Sequence, residues 1–194
     1  MKDKFIEEYE INPCTMLIIP HVYGSKIYSK IIELEDEIIS PFKPIDIIKA
    51  SCEFFGSSYE GRKNGSRRLI GITHKAPIAI DPTNSIYFFP TTSSVRPECI
   101  WVSHEHVLHH RRSDSNITHV TFRNKETFGL PISARSFNNQ LIRTAHLRTK
   151  LAQRMSEMER KTYFYLHTPK FLTALEKRDE YEENRKKRST HLFD

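Results

Sequence analysis

The apolar positions of this chain take up a helical period twice, each time after a strand-like stretch. Residues 11–20, INPCTMLIIP, read as a strand. Ile27, Tyr28, Ile31, Ile32, Leu34, Ile38 and Ile39, between Ser25 and Ser40, are rich in β-branched side chains. They predict one or two further strands, with a turn near Glu35-Asp36-Glu37. From Pro44 to Phe55 the period is helical, with Ile45, Ile48, Cys52 and Phe55 on one face. Pro44 suits the first turn of that helix and Gly56 the position just past its end. Residues 69–80 read as a strand interrupted at Pro77, and Asp81-Pro-Thr-Asn-Ser85 as a turn. Ile86–Phe89 is a short strand ended by Pro90, and 91–97 is a polar loop. Ile100–Leu108 reads as a strand and Arg111–Asn116 as a turn. Residues 117–123 and 127–132 alternate around Asn124-Lys-Glu126 as a hairpin.

At Ser133 the helical period returns. Ser133 is the expected N-cap of a helix over 134–158, whose stripe is Phe137, Leu141, Ala145, Leu151, Ala152 and Met155. Arg143, Lys150 and Arg154 fall together on the far side. Arg148 falls inside the apolar arc, so it either pairs with a carboxylate or lies at an interface between protein surfaces. After Glu159 apolar residues stand between charges as far as Lys170, and Glu176–Arg188 is almost wholly charged, predicting a C-terminal extension, partly helical. The fold class expected is α+β: an antiparallel sheet built from 11–39 and 69–132, packed with a short helix (44–55) and a long one (134–158). The domain would span 8–158 and the extension 159–194.

A chain of 194 residues can bury a core without disulfide or metal staples. Its three cysteines, Cys14, Cys52 and Cys99, are odd in number and lack zinc spacing. They read as buried or half-buried free thiols in a reducing cytoplasm. The N-terminus has no apolar signal-peptide core, and no apolar run approaches the roughly 20 residues of a membrane span. Net charge is +6, and its placement changes the picture. Residues 1–56 carry 6 Lys/Arg against 10 Asp/Glu, whereas 57–158 carry 15 against 7. A basic centre behind an acidic head is a surface suited to an anion.

Which anion is asked most sharply by Gly56-Ser-Ser-Tyr-Glu-Gly61-Arg62-Lys63, close to the nucleotide-binding pattern G-x-x-x-x-G-K-[ST]. Here Arg62, Lys63 and Asn64 stand where Lys and a Mg²⁺-binding hydroxyl should. The segment also leaves a helix instead of following a strand, so it is not a nucleotide loop. His104, His106, His109 and His110 sit close together, but H-E-x-x-H is absent and no third ligand is placed. They read as solvent-facing strand histidines, with no metal. No nucleophile elbow G-x-S-x-G occurs, so no catalytic residue is assigned and no cofactor expected. The basic segment remains: Arg62, Lys63, Arg67, Arg68 and Lys75 against Glu60, with Gly61 and Gly65 between. Read as a flexible loop, it can reach phosphates or enter a narrow A-tract minor groove, with Tyr59 and Arg96 flanking.

The same residues carry a resemblance. Phe54-Phe-Gly-Ser-Ser-Tyr-Glu-Gly-Arg-Lys63, His74-Lys-Ala-Pro-Ile78, Ile80-Asp-Pro82, Phe89-Pro-Thr91 and Ser94-Val-Arg-Pro97 are similar to the ComK family of competence transcription factors of Bacillus and related Gram-positive bacteria. Leu130-Pro-Ile-Ser133, Arg143-Thr-Ala145 and Leu147-Arg-Thr-Lys150 continue it, over about residues 8–155. The resemblance implies a cytoplasmic, nucleoid-bound activator of DNA-uptake genes that is not an enzyme. It implies binding to paired AT-rich boxes through the minor groove, as dimers that pair on DNA, and action on RNA polymerase. It also implies delivery to a Clp protease by a MecA-type adaptor that contacts the C-terminal part, here Phe164, Tyr165 and Leu166. The expected DNA surface is Arg62, Lys63, Arg67, Arg68, Lys75 and Arg96. The runner-up is Arg143, Lys150 and Arg154. A third arrangement makes the long helix a dimer seam with Arg148 paired across it. The competing function is a protein-interaction module whose basic centre docks an acidic partner.

Overall fold

The architecture was obtained as a computed structural model, which describes residues 4–113 and 116–167 and the single positions 178 and 182. The chain divides into two units, 1–151 and 152–194.

The first unit is α+β. Its larger sheet has seven strands in the order β1-β4-β3-β2-β7-β6-β5. They are β1 (Lys4–Phe5), β2 (Thr15–Tyr23), β3 (Lys26–Glu33), β4 (Glu37–Ser40), β5 (Ile78–Asp81), β6 (Ile86–Pro90) and β7 (Trp101–Ser103). All neighbours run antiparallel except β1 and β4, which are parallel. A smaller antiparallel sheet, β10-β9-β8, uses β8 (Val107–Arg112), β9 (Thr118–Phe122) and β10 (Thr127–Leu130). The hairpin expected over 117–132 is β9–β10, turning where Lys125 takes φ 69°.

Strand alternation sends the core to both faces of the large sheet. Ile18, Ile31, Phe88 and Trp101 face Ile47, Ile48 and Cys52 of α1 (Pro44–Phe54) and Tyr59 of α2 (Tyr59–Ile70). Leu17, Phe89 and Val102 face Val120, Phe122 and Leu130 of the small sheet and Phe137 of α3 (Ala134–His167). Helix α1 runs as its pattern predicts, with Pro44 at its start and Gly56 (φ 68°) just beyond its end.

Several expectations need correction. The segment 59–70 is a helix, not a loop. Accordingly the strand expected over 69–80 is only β5; Gly71 (φ 66°) ends α2 and the chain reaches the sheet at Ile78. Ile100–Leu108 is two strands in two sheets, bent at His104–His106. Helix α3 begins at the Ser133 cap, where Ser133 Oγ accepts from Ser136 N at 3.3 Å. It runs to His167 instead of 158, because residues 159–167 contain no glycine or proline to break it.

Its buried stripe is also rotated. Phe137, Gln140, Thr144 and Leu147 are buried, while Ala145 is exposed. Ala152 and Met155, in the second unit, are exposed as well. Two polar residues stand on the inner face in place of alanines, their donors bonded internally, while Gln140 Oε1 is buried without a partner among the described residues. Gln140 Nε2 donates to the carbonyls of Pro90 (2.7 Å) and Lys75 (3.1 Å), and Thr144 Oγ1 donates to Gln140 O (2.7 Å). Arg148 pairs with a carboxylate: its Nη1 lies 2.7 Å from Glu105 Oε2, and Arg123 holds the other oxygen at 2.6 Å. Cys52 and Cys99 are buried and their thiols pushed up to about 11 by burial, whereas Cys14 is exposed.

The histidine cluster does not face solvent as a group. His106 is buried, with Nε2 2.8 Å from Pro13 O, and His104 is mostly enclosed beside Arg148. Burial holds both imidazoles below the ordinary 6.5, and the Arg148 charge adds to this at His104. An imidazole depressed in the folded state is protonated first in the unfolded chain. Stability is therefore full above about pH 6.5 and declines as the pH falls below it. The urea midpoint is expected to drop between about pH 7.5 and about pH 5.5; a flat profile would show that these rings are not shielded.

Candidate nucleic-acid interface

The connection from α1 to α2 is short: Phe55, Gly56, Ser57 and Ser58. Ser58 caps α2, its Oγ accepting from Gly61 N at 3.1 Å. Glu60 sits in the first turn and Arg67 and Arg68 in the last, complementing the helix dipole. These caps, with burial of Tyr59 and Ser66, offset the two interior glycines, each worth about 1 kcal/mol against a helix. A helix–turn–helix path also removes the strand–loop–helix context of a nucleotide loop.

The helix sorts its cations by side. Tyr59 is the buried edge, its ring 6.4 Å from Trp101 and nearly perpendicular to it. Its hydroxyl donates to Ser94 Oγ at 3.0 Å. On one flank Lys63 and Arg67 open onto a cleft of about 340 Å³, completed by Tyr59, His74, Lys75 and Ser93–Val95. Lys63 lies over the Tyr59 ring at 5.2 Å and pairs with Glu60 at 3.2 Å. Arg67 has no carboxylate partner among the described residues, and its buried Nε has no acceptor. Lys75 stands at φ 51°, a costly conformation for a residue with a Cβ. The Gln140 bond to its carbonyl holds it there, and Lys75 Nζ reaches Thr91 O at 3.4 Å.

The other predicted cations are placed apart. Arg62 lies on the opposite flank, its charge felt by Cys52 and Tyr87, and its Nε is buried without an acceptor among the described residues. Arg68 is exposed outside the cleft. Arg96 lies beyond Val95, lines a second cleft of about 350 Å³ with Lys43, and pairs loosely with Glu98 at 3.4 Å. So Lys63, Arg67 and Lys75 converge, and Arg62, Arg68 and Arg96 do not join them. Sequence reasoning missed Lys43, His74 and Val95; the one signal was an apolar residue alone in a polar loop. Of the runner-up set, Arg143 and Lys150 are in the first unit and Arg154 in the second, and none forms an ion pair among the described residues.

Among the described residues no group of three His, Cys, Asp or Glu could hold a metal ion, and no helix is long and apolar enough to cross a membrane.

The profile of the ComK protein matches residues 6–156. The chain belongs to the ComK family. It is 45% identical over 168 residues to the competence transcription factor of Bacillus subtilis (strain 168), covering 87% of this chain and 88% of that protein. No solved structure matches it. The ComK match contains α1, α2, the 91–99 loop and every cation of the cleft. Phe164, Tyr165 and Leu166 lie beyond it, exposed on the last turns of α3.

The helical state of 59–70 has a direct check. A Cβ at Gly65 meets nothing within 4 Å among the described residues, so Gly65→Ala should stabilise the protein by about 0.5–1 kcal/mol. A Cβ at Gly61 would meet the capping Ser58 Oγ at 2.9 Å, so Gly61→Ala should gain less or lose. Urea midpoints separate the two; a clear loss at Gly65→Ala would mean the segment is not helical.

Proposed function

We propose that this chain is a cytoplasmic, nucleoid-bound activator of DNA-uptake genes that reads paired AT-rich boxes through the minor groove. The observation that carries the reading is kinship with a competence transcription factor over most of both chains. The cleft supports it, since three cations converge there beside a loop. The kinship also favours a non-enzymatic role, with self-association on DNA and action on RNA polymerase following from it. Arg148 remains a candidate for the self-contact; its side chain is 42% exposed even while paired with Glu105. The exposed Phe164, Tyr165 and Leu166 are the surface we assign to a MecA-type adaptor of a Clp protease.

The helical state of α2 changes how the groove is met. A helix with its side chains is about 10–12 Å across. The minor groove is about 6 Å wide and the major groove about 12 Å. Helix α2 therefore cannot enter an A-tract minor groove. In the minor-groove reading, Lys63, Arg67, Arg68, Lys75 and Arg96 hold phosphates and position the protein, Arg62 supports α2, and another segment meets the bases. The helix–turn–helix path of α1–α2 favours a second reading, with α2 in the major groove.

Inosine separates the two. An I·C pair presents the major groove of G·C but lacks the minor-groove amino group of guanine. Full-length protein should bind duplexes carrying two A·T boxes, or the same boxes in I·C, alike, and the G·C version more weakly, all with steep salt dependence. Loss on I·C together with G·C would place α2 in the major groove. Equal, weak binding to all three would remove the DNA reading in favour of an acidic protein partner. Lys63→Ala with Arg67→Ala should weaken binding to A·T boxes at least about tenfold and flatten the salt slope by about two, with the circular dichroism spectrum unchanged. Unchanged affinity would remove the cleft from the interface.

A further inference from the structure

We infer that Val95 is the specificity-determining residue of the interface, the apolar ridge that enters the minor groove and excludes guanine. The inference rests on the minor-groove reading and names the segment that meets the bases.

Val95 is 86% exposed, the most exposed large apolar side chain among the described residues. Exposure alone argues little, since single apolar residues are common on surfaces. The setting is what matters. The loop between β6 and β7 is held at both ends: Thr91 N donates to Ile100 O at 2.9 Å, and Ile100 N to Thr91 Oγ1 at 3.1 Å. Arg96 N donates to Ser93 O and Cys99 N to Arg96 O, which fold the loop on itself. The Tyr59 hydroxyl fastens the neighbouring Ser94 to α2. A loop so tied costs little further ordering when it binds.

Val95 is also shared by two clefts. One carries Lys63, Arg67, His74 and Lys75, the other Lys43 and Arg96 together with the carboxylate of Asp46. It is thus a narrow apolar ridge with cations on both sides. The minor groove has the matching form, a slot between two phosphate strands. On its floor A·T pairs offer only acceptors, while G·C adds the guanine 2-amino donor. That amino group stands where a branched side chain must sit, and valine cannot accept its hydrogen bond, so a G·C pair under Val95 leaves a buried donor unpaired. At an A·T or I·C pair the same place is a C–H. Selectivity for A·T then comes from rejection, as buried unpaired groups discriminate more strongly than added contacts.

The test is a base-pair scan of one box, each position changed in turn to G·C and to I·C, with wild type, Val95→Ala and Val95→Asn. Wild type should show at least one position where G·C costs about tenfold or more and I·C about twofold or less. In Val95→Asn, whose amide oxygen accepts from the amino group, the G·C penalty there should fall at least about fivefold. Val95→Ala should lie between, and the salt slope should stay constant because no cation is removed. If wild type prefers A·T and I·C to G·C and both variants keep that ratio within about twofold, Val95 is not the discriminator and the minor-groove reading stands. If wild type itself treats I·C as it treats G·C, the minor-groove reading fails and Val95 falls with it.

Discussion

Tyr59 is the residue on which the arrangement turns. It begins α2, so its position sets where the basic helix starts. Its ring is clamped edge-on against Trp101, which is fully buried in β7. Its hydroxyl reaches Ser94 and so couples the helix to the 91–99 loop. One side chain thereby joins core, cation-bearing helix and ridge. Burial raises its pKa, and the hydroxyl stays protonated to serve as donor. Without this anchor α2 would keep its caps, the buried Ser66 and the packing of Leu69 and Ile70 against Ala79 and Tyr87, on a glycine-weakened helix that is marginal by itself at 12 residues in water.

Two polar ties complete the frame from the other face. Gln140 holds Lys75 O and Pro90 O, so α3 sets both the backbone of a cleft lysine and the end of β6. Leaving two such carbonyls without donors would cost about 1–3 kcal/mol each. Glu105 is shared between Arg148 and Arg123, joining α3 to the β7–β8 bend and the end of β9. Both ties are polar and directional. They fix where α3 lies along the sheet, which apolar packing of Phe137 and Leu147 alone would leave free to slide.

Much of this was legible in the chain. Periodicity located β3, β4, α1, the β9–β10 hairpin and the Ser133 cap, because each is decided by local alternation or a local cap. The failures share one cause. Gly61 and Gly65 argue locally for a loop, yet 59–70 is a helix, because Tyr59, Ser66 and Ile70 dock on the rest of the fold. Gln140 and Thr144 look like surface residues until the Lys75 and Pro90 carbonyls, distant in sequence, are brought beside them. His104 and His106 look like an exposed pair until the chain bends between two sheets, burying His106 and mostly enclosing His104.

By itself, then, the sequence determined the fold class, the basic centre and the family, since these follow from composition, period and ordered motifs. Tertiary structure alone decided which cations act together. Helix α2 turns Lys63 and Arg67 to one flank and Arg62 to the other, at about 100° per residue. Lys75 joins the first pair only because Gln140 holds its backbone at a positive φ. Val95 gained a place between two clefts only because β6 and β7 pair and Tyr59 closes on Ser94. Convergence is a property of distances between residues far apart in the chain, and no local pattern encodes it.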